Sequence, residues 1–375
     1  MVSAKRAKRW LSHFIAWIIS YFPSERDLWY DLVIVRVDAL GDYVIWRDAL
    51  SAYKERFENK RVLMVCADIA SPLAIEEPFF TDVYVFSREK ASNKFHYLIQ
   101  TVRYLKTVSS EMVISPTWNR HPLGDIFVAQ IKSSQKIGME SKGKSTIWNR
   151  LCRRQYSNLI SYSESLSEIK SVEYFTQKAI WPNYQYGFNP LVINKAPGMD
   201  IHGDYVVVAF SASTKAKSWE TYKFAKVIDA IPQKYQVVLT GHGNEDIRRA
   251  LEIAGLVKDK KRIINMVSKT SVVELVSLIS KSILVIGNDS AAVHIAAATR
   301  VKSVCILIGA QFNRFFPYPK DLPFLDYIPQ AVYYRMDCYG CNYRCVYNDE
   351  NPYNCLKNIS EDMVISEVIN LLGVG

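Results

Sequence analysis

The residues best suited to acid–base chemistry lie just after an apolar run near the start of the chain. Residues 31–37 have the composition of a short buried strand, and Gly41 and Asp42 follow at the beginning of a helical pattern. A glycine there permits a tight or positive-φ turn, and a carboxylate at a strand end could serve as a general base. The alternative is ordinary helix capping, for which Asp is well suited.

A second stretch has the composition of a phosphate-binding loop. Ser213, Thr214 and Lys217 follow another apolar run, and an amphipathic helical pattern comes next. Hydroxyl groups, an ammonium group and free backbone N–H groups at a helix start suit a diphosphate. An ordinary polar loop is the alternative.

A third stretch joins an apolar strand to a helical pattern that is rich in small residues. Asp289 and Ser290 stand at the turn, Ala291 is the first of several alanines, and His294 follows one helical turn later. The small side chains allow a ligand or the sheet to approach closely. The alternative is a tightly packed helix that Asp289 caps.

The stretch GMESKGKST, residues 138–146, matches the P-loop pattern G-x-x-x-x-G-K-[ST]. Its fixed positions are Gly138, Gly143, Lys144 and Ser145. A working P-loop directly follows a buried strand and is accompanied by a magnesium-binding Asp at the end of another strand. Residues 132–137 are mostly polar, and the nearest such Asp lies far along the chain. We therefore predict that this match binds no nucleotide phosphate and contributes exposed positive charge.

Four of the seven cysteines cluster near the end of the chain with the spacing C-x2-C-x3-C-x9-C. They are Cys338, Cys341, Cys345 and Cys355. Four thiols this close could hold a structural zinc ion. Free thiols are a second interpretation, and disulfides are a third that a reducing cytoplasm disfavours. The three scattered cysteines are expected to be core thiols.

The elements that must position these residues alternate between short apolar strands and amphipathic helices. This pattern predicts an α/β fold with parallel sheets. We predict a first α/β domain over residues 31–190, a linker over 191–204 and a second α/β domain over 205–375. Two such domains normally bind ligand in the cleft between them, with the carboxyl ends of the strands facing it.

The charge of the chain favours anionic partners. Its 375 residues include 47 Lys and Arg against 37 Asp and Glu, a net charge of +10. Phospholipid, phosphorylated sugar and nucleic acid are the partner classes that such a balance favours. Residues 1–30 begin with a basic cluster, and the aromatic-rich stretch at 10–22 is shorter than the roughly 20 residues that a membrane span needs. We predict a helix on a membrane surface; the alternative is a helix packed on the protein's own core.

Taken in order, the three stretches resemble glycosyltransferase family 9, the lipopolysaccharide heptosyltransferase family. The family carries a G-D turn after its first strand, a K-x-W segment that opens its second domain, and a D-[ST]-G-x-x-H-x-A-A turn into a helix. The matching positions are 41–42, 217–219 and 289–297. Residues 237–245 and 355–372 are similar to two further family segments, and the resemblance extends over residues 32–372.

The resemblance implies a GT-B fold, with two Rossmann-like parallel-sheet domains facing a central cleft. It implies an inverting transfer of a sugar, typically from ADP-heptose, to a lipid-linked saccharide, with no cofactor required for catalysis. A metal-free mechanism agrees with the sequence, which contains no D-x-D pair. The implied setting is the cytoplasmic side of a bacterial inner membrane, with the protein peripheral on the membrane surface and no nucleic-acid partner.

The resemblance also implies roles for single residues. Asp42, next to Gly41, is the implied base that deprotonates the acceptor hydroxyl. The implied donor-binding residues are Ser213, Thr214 and Lys217 at the diphosphate, Asp289, Ser290, Ala291 and His294 along the donor site, and Glu245 near the nucleoside. The family usually has Gly at the position of Ala291, so the added methyl group bears on which donor is accepted.

Two alternatives stay open. The first is a family 9-like transferase that uses another nucleotide sugar for capsule or O-antigen. The second is an inactive relative that binds a nucleotide sugar or glycolipid. For an active enzyme, the basic block of residues 132–154 is expected to be either solvated surface charge or a surface for an acidic glycolipid.

Overall fold

The structure is a computed structural model. It describes residues 2–22, 28–118, 120–140, 151–161, 166–187, 189–193, 201–347 and 352–373, and for residues 2–8 it describes the backbone alone. Gly143, Lys144 and Ser145 of the P-loop match therefore lie outside the described residues.

The chain divides into two compact units. The first comprises Met1–Leu166 and Lys170–Gln185, and the second comprises Ser167–Ile169 and Tyr186–Gly375. The division falls before the predicted linker at residues 191–204.

Backbone hydrogen bonds explain where the division falls. The N–H of Leu191 donates to the carbonyl of Ala298 at 2.8 Å, which ties the start of the predicted linker to the second unit. The N–H of Glu168 donates to the carbonyl of Arg314 at 2.7 Å, so residues 167–169 also belong to the second unit.

The first unit contains a parallel sheet of six strands in the order β3-β2-β1-β4-β5-β6. The strands are β1 (Leu28–Arg36), β2 (Val62–Ala67), β3 (Asp82–Phe86), β4 (Val108–Ser115), β5 (Gln135–Met139) and β6 (Asn158–Ile160). Strands of a parallel sheet are buried on both faces, so the central ones are continuous apolar runs, and every residue of β2 is buried. Because β1 begins at Leu28, the predicted boundary between residues 30 and 31 cuts through this strand.

Helices of the first unit connect these strands and complete its core. They are α1 (Val2–Ile18), α2 (Leu40–Arg47), α3 (Leu50–Arg56), α4 (Ser71–Ile75), α5 (Arg88–Asn93), α6 (Phe95–Lys106), α7 (Pro122–Gln130) and α8 (Glu168–Ala179), of which α8 begins in the second unit. In the core, the rings of Phe86 and Phe127 meet edge to face with centroids 4.9 Å apart.

The second unit contains another parallel sheet, in the order β12-β11-β10-β7-β8-β9. The strands are β7 (Tyr205–Ala209), β8 (Gln236–Thr240), β9 (Ile263–Asn265), β10 (Leu284–Asn288), β11 (Ser303–Ile306) and β12 (Gln330–Val332). The helices are α9 (Thr221–Ala230), α10 (Asn244–Leu256), α11 (Val272–Ser280), α12 (Ala291–Ala298), α13 (Asn354–Lys357) and α14 (Glu361–Leu372).

Both sheets have the Rossmann strand order. Counted from its first strand, each sheet follows the order 3-2-1-4-5-6, read from opposite edges. The predicted α/β class, with two Rossmann-like parallel-sheet units, is confirmed.

The N-terminal helix α1 packs on the first unit through one face only. Ala16 and Trp17 are buried in that unit's core, and the side-chain amide of Gln130 donates to the carbonyl of Ala16 at 3.1 Å. Trp10 and Leu11, in contrast, are 48% and 60% exposed. Packing on the protein's own core is thus realised for one face, while contact with a membrane stays a prediction. Among the described residues, we find no helix whose length and apolar character would let it cross a bilayer.

Candidate active site

Most of the predicted catalytic and donor-binding residues follow the strands that flank the switch point of each sheet. In sheets of this order, ligands bind beyond the carboxyl ends of the two central strands, where the connections leave in opposite directions. In the first unit these strands are β1 and β4, and Asp42 follows β1. In the second unit β7 pairs with β10; residues 213–217 follow β7, and residues 289–291 follow β10.

Asp42 is held at the start of α2. The helix begins at Leu40, so Asp42 stands in its first turn, and its carboxylate accepts a hydrogen bond from the backbone N–H of Ala39 at 3.2 Å. The positive end of a helix stabilises a carboxylate there. Gly41 lies within the same helical turn, rather than in the positive-φ turn that the sequence permitted. Asp42 therefore does cap the helix. The same hydrogen bond holds its carboxylate close to the end of β1, where the sequence predicts a base.

A buried arginine supports the backbone under Asp42. Arg36, the last residue of β1, is only 1% exposed. Its guanidinium donates to the carbonyls of Asp42 and Pro116, each at 3.3 Å. It also pairs with the carboxylate of Asp38 and lies 4.8 Å from the ring centroid of Trp46. Because these contacts join the turn after β1 to the segment after β4, Arg36 defines the geometry of this switch point.

Asp246 of α10 holds the beginning of the loop that follows β7. Its buried carboxylate accepts hydrogen bonds from the hydroxyl of Ser211 and, at 2.9 Å, from the backbone N–H of His242. An added Cβ at Gly241 would come within 2.8 Å of this carboxylate, so the close approach requires glycine.

Arg249 and Asn288 hold the rest of that loop. The buried guanidinium of Arg249 donates to the carbonyls of Phe210 at 3.0 Å and Trp219 at 2.8 Å. The side-chain amide of Asn288, at the end of β10, donates to the carbonyl of Phe210 at 2.7 Å. The loop carrying Ser213, Thr214 and Lys217 is thus fixed by α10 and by the neighbouring strand.

A pocket of about 590 Å³ opens between this loop and the start of α10. Sites for small molecules have volumes of roughly 300–1,000 Å³. Ser213, Thr214 and Glu245 all line the pocket, so the structure brings these three predicted residues together. The Glu245 carboxylate accepts a hydrogen bond from Arg248 at 2.6 Å, which lowers the pKa of Glu245 and keeps it charged.

The remaining donor-site candidates lie outside that pocket lining: Lys217 follows β7, and Asp289, Ser290, Ala291 and His294 follow β10. Burial raises the pKa of Asp289, and the positive charge of Lys217 partly offsets this shift. The two side chains therefore lie within electrostatic range of each other. Ser290 precedes the first turn of α12 without making a side-chain capping hydrogen bond, and the half-buried Ala291 is the first helical residue.

His294 is enclosed by aromatic side chains. Its ring stacks on Phe316 with centroids 4.5 Å apart, and its Nδ1 lies 2.7 Å from the hydroxyl of Tyr318. Burial lowers the pKa of His294 to about 3, so the imidazole is neutral at physiological pH. Contact with a donor stays a prediction for this residue, and the neutral ring brings no positive charge to a diphosphate.

The P-loop match begins inside a strand. Gly138 lies within β5 and is followed by another strand residue, whereas a P-loop glycine starts the turn after its strand. Glycine is needed there for another reason, because an added Cβ would lie 2.6 Å from the ring of Tyr156. Of the basic block around it, Lys132 and Arg153 are exposed, and Arg153 pairs with Glu140 at 2.7 Å.

The four clustered cysteines line one small cavity in the second unit, and none of them forms a disulfide. Among the described residues, no three His, Cys, Asp or Glu side chains are already placed to hold a metal ion. Zinc binding at Cys338, Cys341, Cys345 and Cys355 therefore stays a prediction. Cys66, Cys152 and Cys305 are buried, which confirms the prediction of core thiols.

Four supporting residues were not predicted from the sequence. They are Arg36, Asp246, Arg249 and Asn288. Arg36 and Asn288 did leave a signal, because each is a polar side chain that ends an apolar run and so needs hydrogen-bonding partners once buried. Asp246 and Arg249 left none, since charged residues three apart are common on helix surfaces.

Known proteins resemble this chain in sequence and in fold. The sequence profile of "Glycosyltransferase family 9 (heptosyltransferase)" matches residues 130–322, more than half of the chain. Lipopolysaccharide heptosyltransferase 3 of Escherichia coli (strain K12) is 28% identical over 294 residues, which cover 75% of this chain and 83% of that protein.

Two solved structures show the same fold. The glycosyl transferase family 9 structure from Veillonella parvula DSM 2008 has a TM-score of 0.69 at 16% identity, covering 93% of this chain and 98% of the other. The E. coli ADP-heptose lps heptosyltransferase II has a TM-score of 0.61 at 16% identity, covering 91% and 98%.

Proposed function

Because the chain belongs to glycosyltransferase family 9, the heptosyltransferase family, we propose that it transfers a heptose-like sugar from ADP-heptose to a lipid-linked saccharide. The product would belong to lipopolysaccharide core or a related surface glycan. Two features together give this proposal its strongest support. A carboxylate is fixed at one switch point, and a pinned loop with hydroxyl groups and a lysine lies at the other.

On the acceptor side, Asp42 takes the proton of the attacking hydroxyl. The acceptor oxygen attacks the anomeric carbon opposite the leaving diphosphate, which inverts the configuration. A base must be ionised and correctly placed to do this. The hydrogen bond from Ala39 and the support from Arg36 serve both requirements.

On the donor side, the leaving diphosphate gains negative charge. Preorganised donors and positive charge stabilise such a group in the transition state. We assign this role to Lys217, to the hydroxyls of Ser213 and Thr214, and to the backbone N–H groups at the start of α12. Asp289 would be repelled by a phosphate, so we assign it to the sugar hydroxyls. The absence of a D-x-D pair supports a mechanism without a catalytic metal.

The pocket beside α10 suits the nucleoside. Glu245, Arg248, Thr214 and Tyr222 are among the residues that line it. The ring of Tyr222 can stack on a nucleobase, and the charged side chains of Glu245 and Arg248 can form hydrogen bonds with the base and the ribose. We therefore assign Glu245 to the nucleoside end, with its carboxylate oriented by Arg248.

The N-terminal helix is proposed to rest on the membrane that holds the acceptor. Its face away from the first unit exposes Trp10, Leu11, Phe14 and Ile15, and its sequence begins with several basic residues. An apolar face next to positive charge favours binding at the surface of an anionic bilayer. We therefore propose a peripheral location on the cytoplasmic side of the inner membrane.

Transfer is tested with a panel of nucleotide sugars and a lipid-linked core acceptor, comparing Asp42→Asn with the wild type. We expect Asp42→Asn to lower turnover by about 10²–10⁴-fold with unchanged affinity for ADP. Asp68→Asn is the matched control, because Asp68 directly follows the neighbouring strand β2 and is exposed. Turnover of Asp42→Asn within about threefold of that control would exclude Asp42 as the base.

Membrane binding is tested by sedimentation with vesicles of phosphatidylglycerol and phosphatidylethanolamine. Leu11→Asp should lower the bound fraction, since it places a charge in the apolar face. Leu251→Asp, at an exposed apolar position of α10 in the second unit, should leave it unchanged. Equal binding by both variants would argue against a role for α1.

A further inference from the structure

Two aromatic rings from the segment between β11 and β12 cover the imidazole of His294. The imidazole lies nearly parallel to the rings of Phe316 and Tyr318, at interplanar angles of 12° and 17°. The segment is held in a turn, because the N–H of Asn313 donates to the carbonyl of Phe316 at 2.8 Å. Phe316 and Tyr318 are 0% and 4% exposed. Packing therefore fixes the orientation of the imidazole.

The hydroxyl of Tyr318 has one hydrogen-bond partner in the part of the chain that the structure describes. This partner is Nδ1 of His294, at 2.7 Å. Burial raises the pKa of Tyr318 well above its ordinary value, so the hydroxyl keeps its proton at physiological pH. A buried hydroxyl hydrogen without an acceptor costs free energy, and Nδ1 is the acceptor beside it. The Tyr318 hydroxyl therefore donates, and Nδ1 carries no hydrogen.

This hydrogen bond decides which nitrogen of His294 can donate. A neutral imidazole has one N–H donor and one acceptor nitrogen, and the bond at one nitrogen sets the state of the other. With Nδ1 as the acceptor, the hydrogen is on Nε2. Among the described residues Nε2 has no hydrogen-bond partner, and it is not one of the enclosed polar atoms that lack one. Nε2 therefore keeps contact with solvent, and its N–H group is available to a ligand.

The imidazole reaches back toward the donor end of α12. Side chains of a helix tilt toward its N-terminus, and residues three apart lie on one face. His294 therefore shares a face with Ala291, the first residue of the helix. Asp289 lies within electrostatic range of the Tyr318 hydroxyl, because after burial and Cys305 its charge is a further cause of the raised pKa of Tyr318.

We propose that Tyr318 is a positioning residue that holds His294 in the tautomer with its hydrogen on Nε2. This N–H group then donates a hydrogen bond to an oxygen atom of the bound nucleotide sugar, a step that rests on the proposed function. A neutral donor suits this place, because it binds oxygen without repelling the ammonium group of Lys217, which lies within electrostatic range of Asp289. The imidazole binds and orients the ligand, and it transfers no proton.

The tautomer is tested on the full chain, with isotope-labelled histidine and nitrogen NMR of the imidazole rings at neutral pH. The chain has six histidines, and the signals absent from both His294→Phe and His294→Gln belong to His294. In the wild type we expect Nδ1 at the frequency of a nitrogen without hydrogen and Nε2 at that of an N–H nitrogen. The reverse assignment, or two averaged frequencies, would overturn the proposal.

Tyr318→Phe keeps the stacked ring and removes the hydroxyl. We expect the two nitrogen frequencies of His294 to move toward a common average, because no hydrogen bond then selects a tautomer. Tyr205→Phe is the matched control, since the Tyr205 hydroxyl is also buried and donates to the carbonyl of Leu278 at 2.8 Å. Tyr205 begins β7, whereas the donor loop follows the other end of that strand. Unchanged frequencies in Tyr318→Phe, or an equal change in the control, would contradict the role of the hydroxyl.

ADP and ADP-heptose are the probes of the second step. A shift of the Nε2–H signal on addition of ADP identifies a phosphoryl oxygen as the acceptor, and a shift with ADP-heptose alone identifies a sugar oxygen. Either result supports the contact. A signal that neither ligand moves would overturn this step and leave the tautomer standing. Since the tautomer is measured without ligand, failure of the proposed transfer activity would not change it.

Affinity measurements separate positioning from general stability. We expect His294→Phe to weaken binding of the ligand that shifts the signal by about tenfold, and Tyr318→Phe by about threefold. In the double variant the Tyr318 exchange should add nothing, because Tyr318 acts through His294. Tyr205→Phe should leave the affinity unchanged. An equal loss from Tyr318→Phe with and without His294 would show that its effect bypasses the imidazole, and the positioning role would be wrong.

Discussion

The two switch points hold their functional groups by different means. In the first unit, Asp42 is fixed by Ala39 and Arg36, which are only three and six residues away. In the second unit, the loop after β7 is fixed by Arg249 and Asn288, which donate to Phe210 from 39 and 78 residues away. The first arrangement is mostly local, and the second exists only once the sheet and α10 have come together.

This difference predicts different consequences for substitutions at the two switch points. A defect at Arg36 should displace the base and lower the rate of transfer. A defect at Arg249 should loosen the donor loop and lower donor affinity. Substitutions at Arg36, Arg249 and Ala291, each with a matched control, test this comparison.

Arg36→Met is expected to have the largest effect. It removes the guanidinium that supports the carbonyl of Asp42 and leaves Asp38 without its partner. A small displacement of a catalytic group lowers turnover by about 10²-fold, so we expect a kcat defect of that order with little change in ADP affinity. Steady-state kinetics with calorimetry of ADP binding measure both quantities.

Arg47→Met is the control for Arg36→Met. Arg47 lies in the same helix α2 and pairs with Glu77 at 3.1 Å. We expect both variants to lose stability. Only Arg36→Met should lose more turnover than its loss of stability explains. If Arg47→Met lowers kcat equally, the effect is general destabilisation and the comparison fails.

Arg249→Met is expected to weaken ADP binding by about tenfold. The substitution removes two hydrogen bonds to loop carbonyls, and a hydrogen bond to a charged group is worth about 1.5–3 kcal/mol. Only part of that loss is expected to appear as donor affinity, because some of it destabilises the unit itself.

The matched control for Arg249→Met is Arg262→Met. Arg262 is also buried, and its guanidinium donates to the carbonyls of Ile228 and Ile231 at the end of α9. Both variants should unfold at lower urea concentration. An equal loss of ADP affinity in the control would show that the donor loop does not depend on Arg249 specifically.

The same contrast explains what the sequence could predict. Alternating apolar strands and helices predicted both sheets, and the G-D turn placed Asp42 correctly in the first turn of a helix. Asp246 and Arg249 were not predicted to support the donor loop, because in the sequence they resemble an ordinary charged pair on a helix surface. Their role depends on contacts with the loop, such as the one between Arg249 and Phe210, that form only in the folded unit. His294 was predicted from its spacing, but its environment depends on Phe316 and Tyr318, which only the folded chain supplies.

His294→Phe should change the pH dependence of stability. The pKa of His294 is about 3 in the folded protein and 6.5 in an ordinary environment. Below pH 6.5 the unfolded chain therefore binds the extra proton, and this histidine makes stability fall as the pH is lowered from 6.5 toward 3. One such group contributes at most about 1.4 kcal/mol per pH unit.

We expect His294→Phe to be about 1 kcal/mol less stable at pH 7.5, because the hydrogen bond with Tyr318 is lost. The variant should then lose less stability than the wild type between pH 6.5 and 5. Urea unfolding at these pH values measures the difference. Parallel curves would show that the ring is not held neutral in α12. His13 and His121, whose pKa values are each lowered to about 4 by burial, contribute to both proteins alike.

Ala291→Gly is expected to have the smallest effect, and it sharpens the comparison to a single methyl group. Ala291 is the first residue of α12, so the exchange alters the second switch point without touching Arg249 or Asn288. One methylene group in direct contact with a ligand changes discrimination between ligands by about 10- to 200-fold, and we expect the low end of that range here. We expect the ratio of kcat/KM for ADP-heptose to that for another nucleotide sugar to shift within this range, with kcat for the preferred donor nearly unchanged.

Ala298→Gly, at the other end of the same helix, is the control, because either exchange can cost about 1 kcal/mol of helix stability. Only Ala291→Gly should alter donor preference, because only Ala291 lies at the end of the helix assigned to the donor. The same ratio in both variants would remove Ala291 from the specificity of the site and leave it a purely helical role.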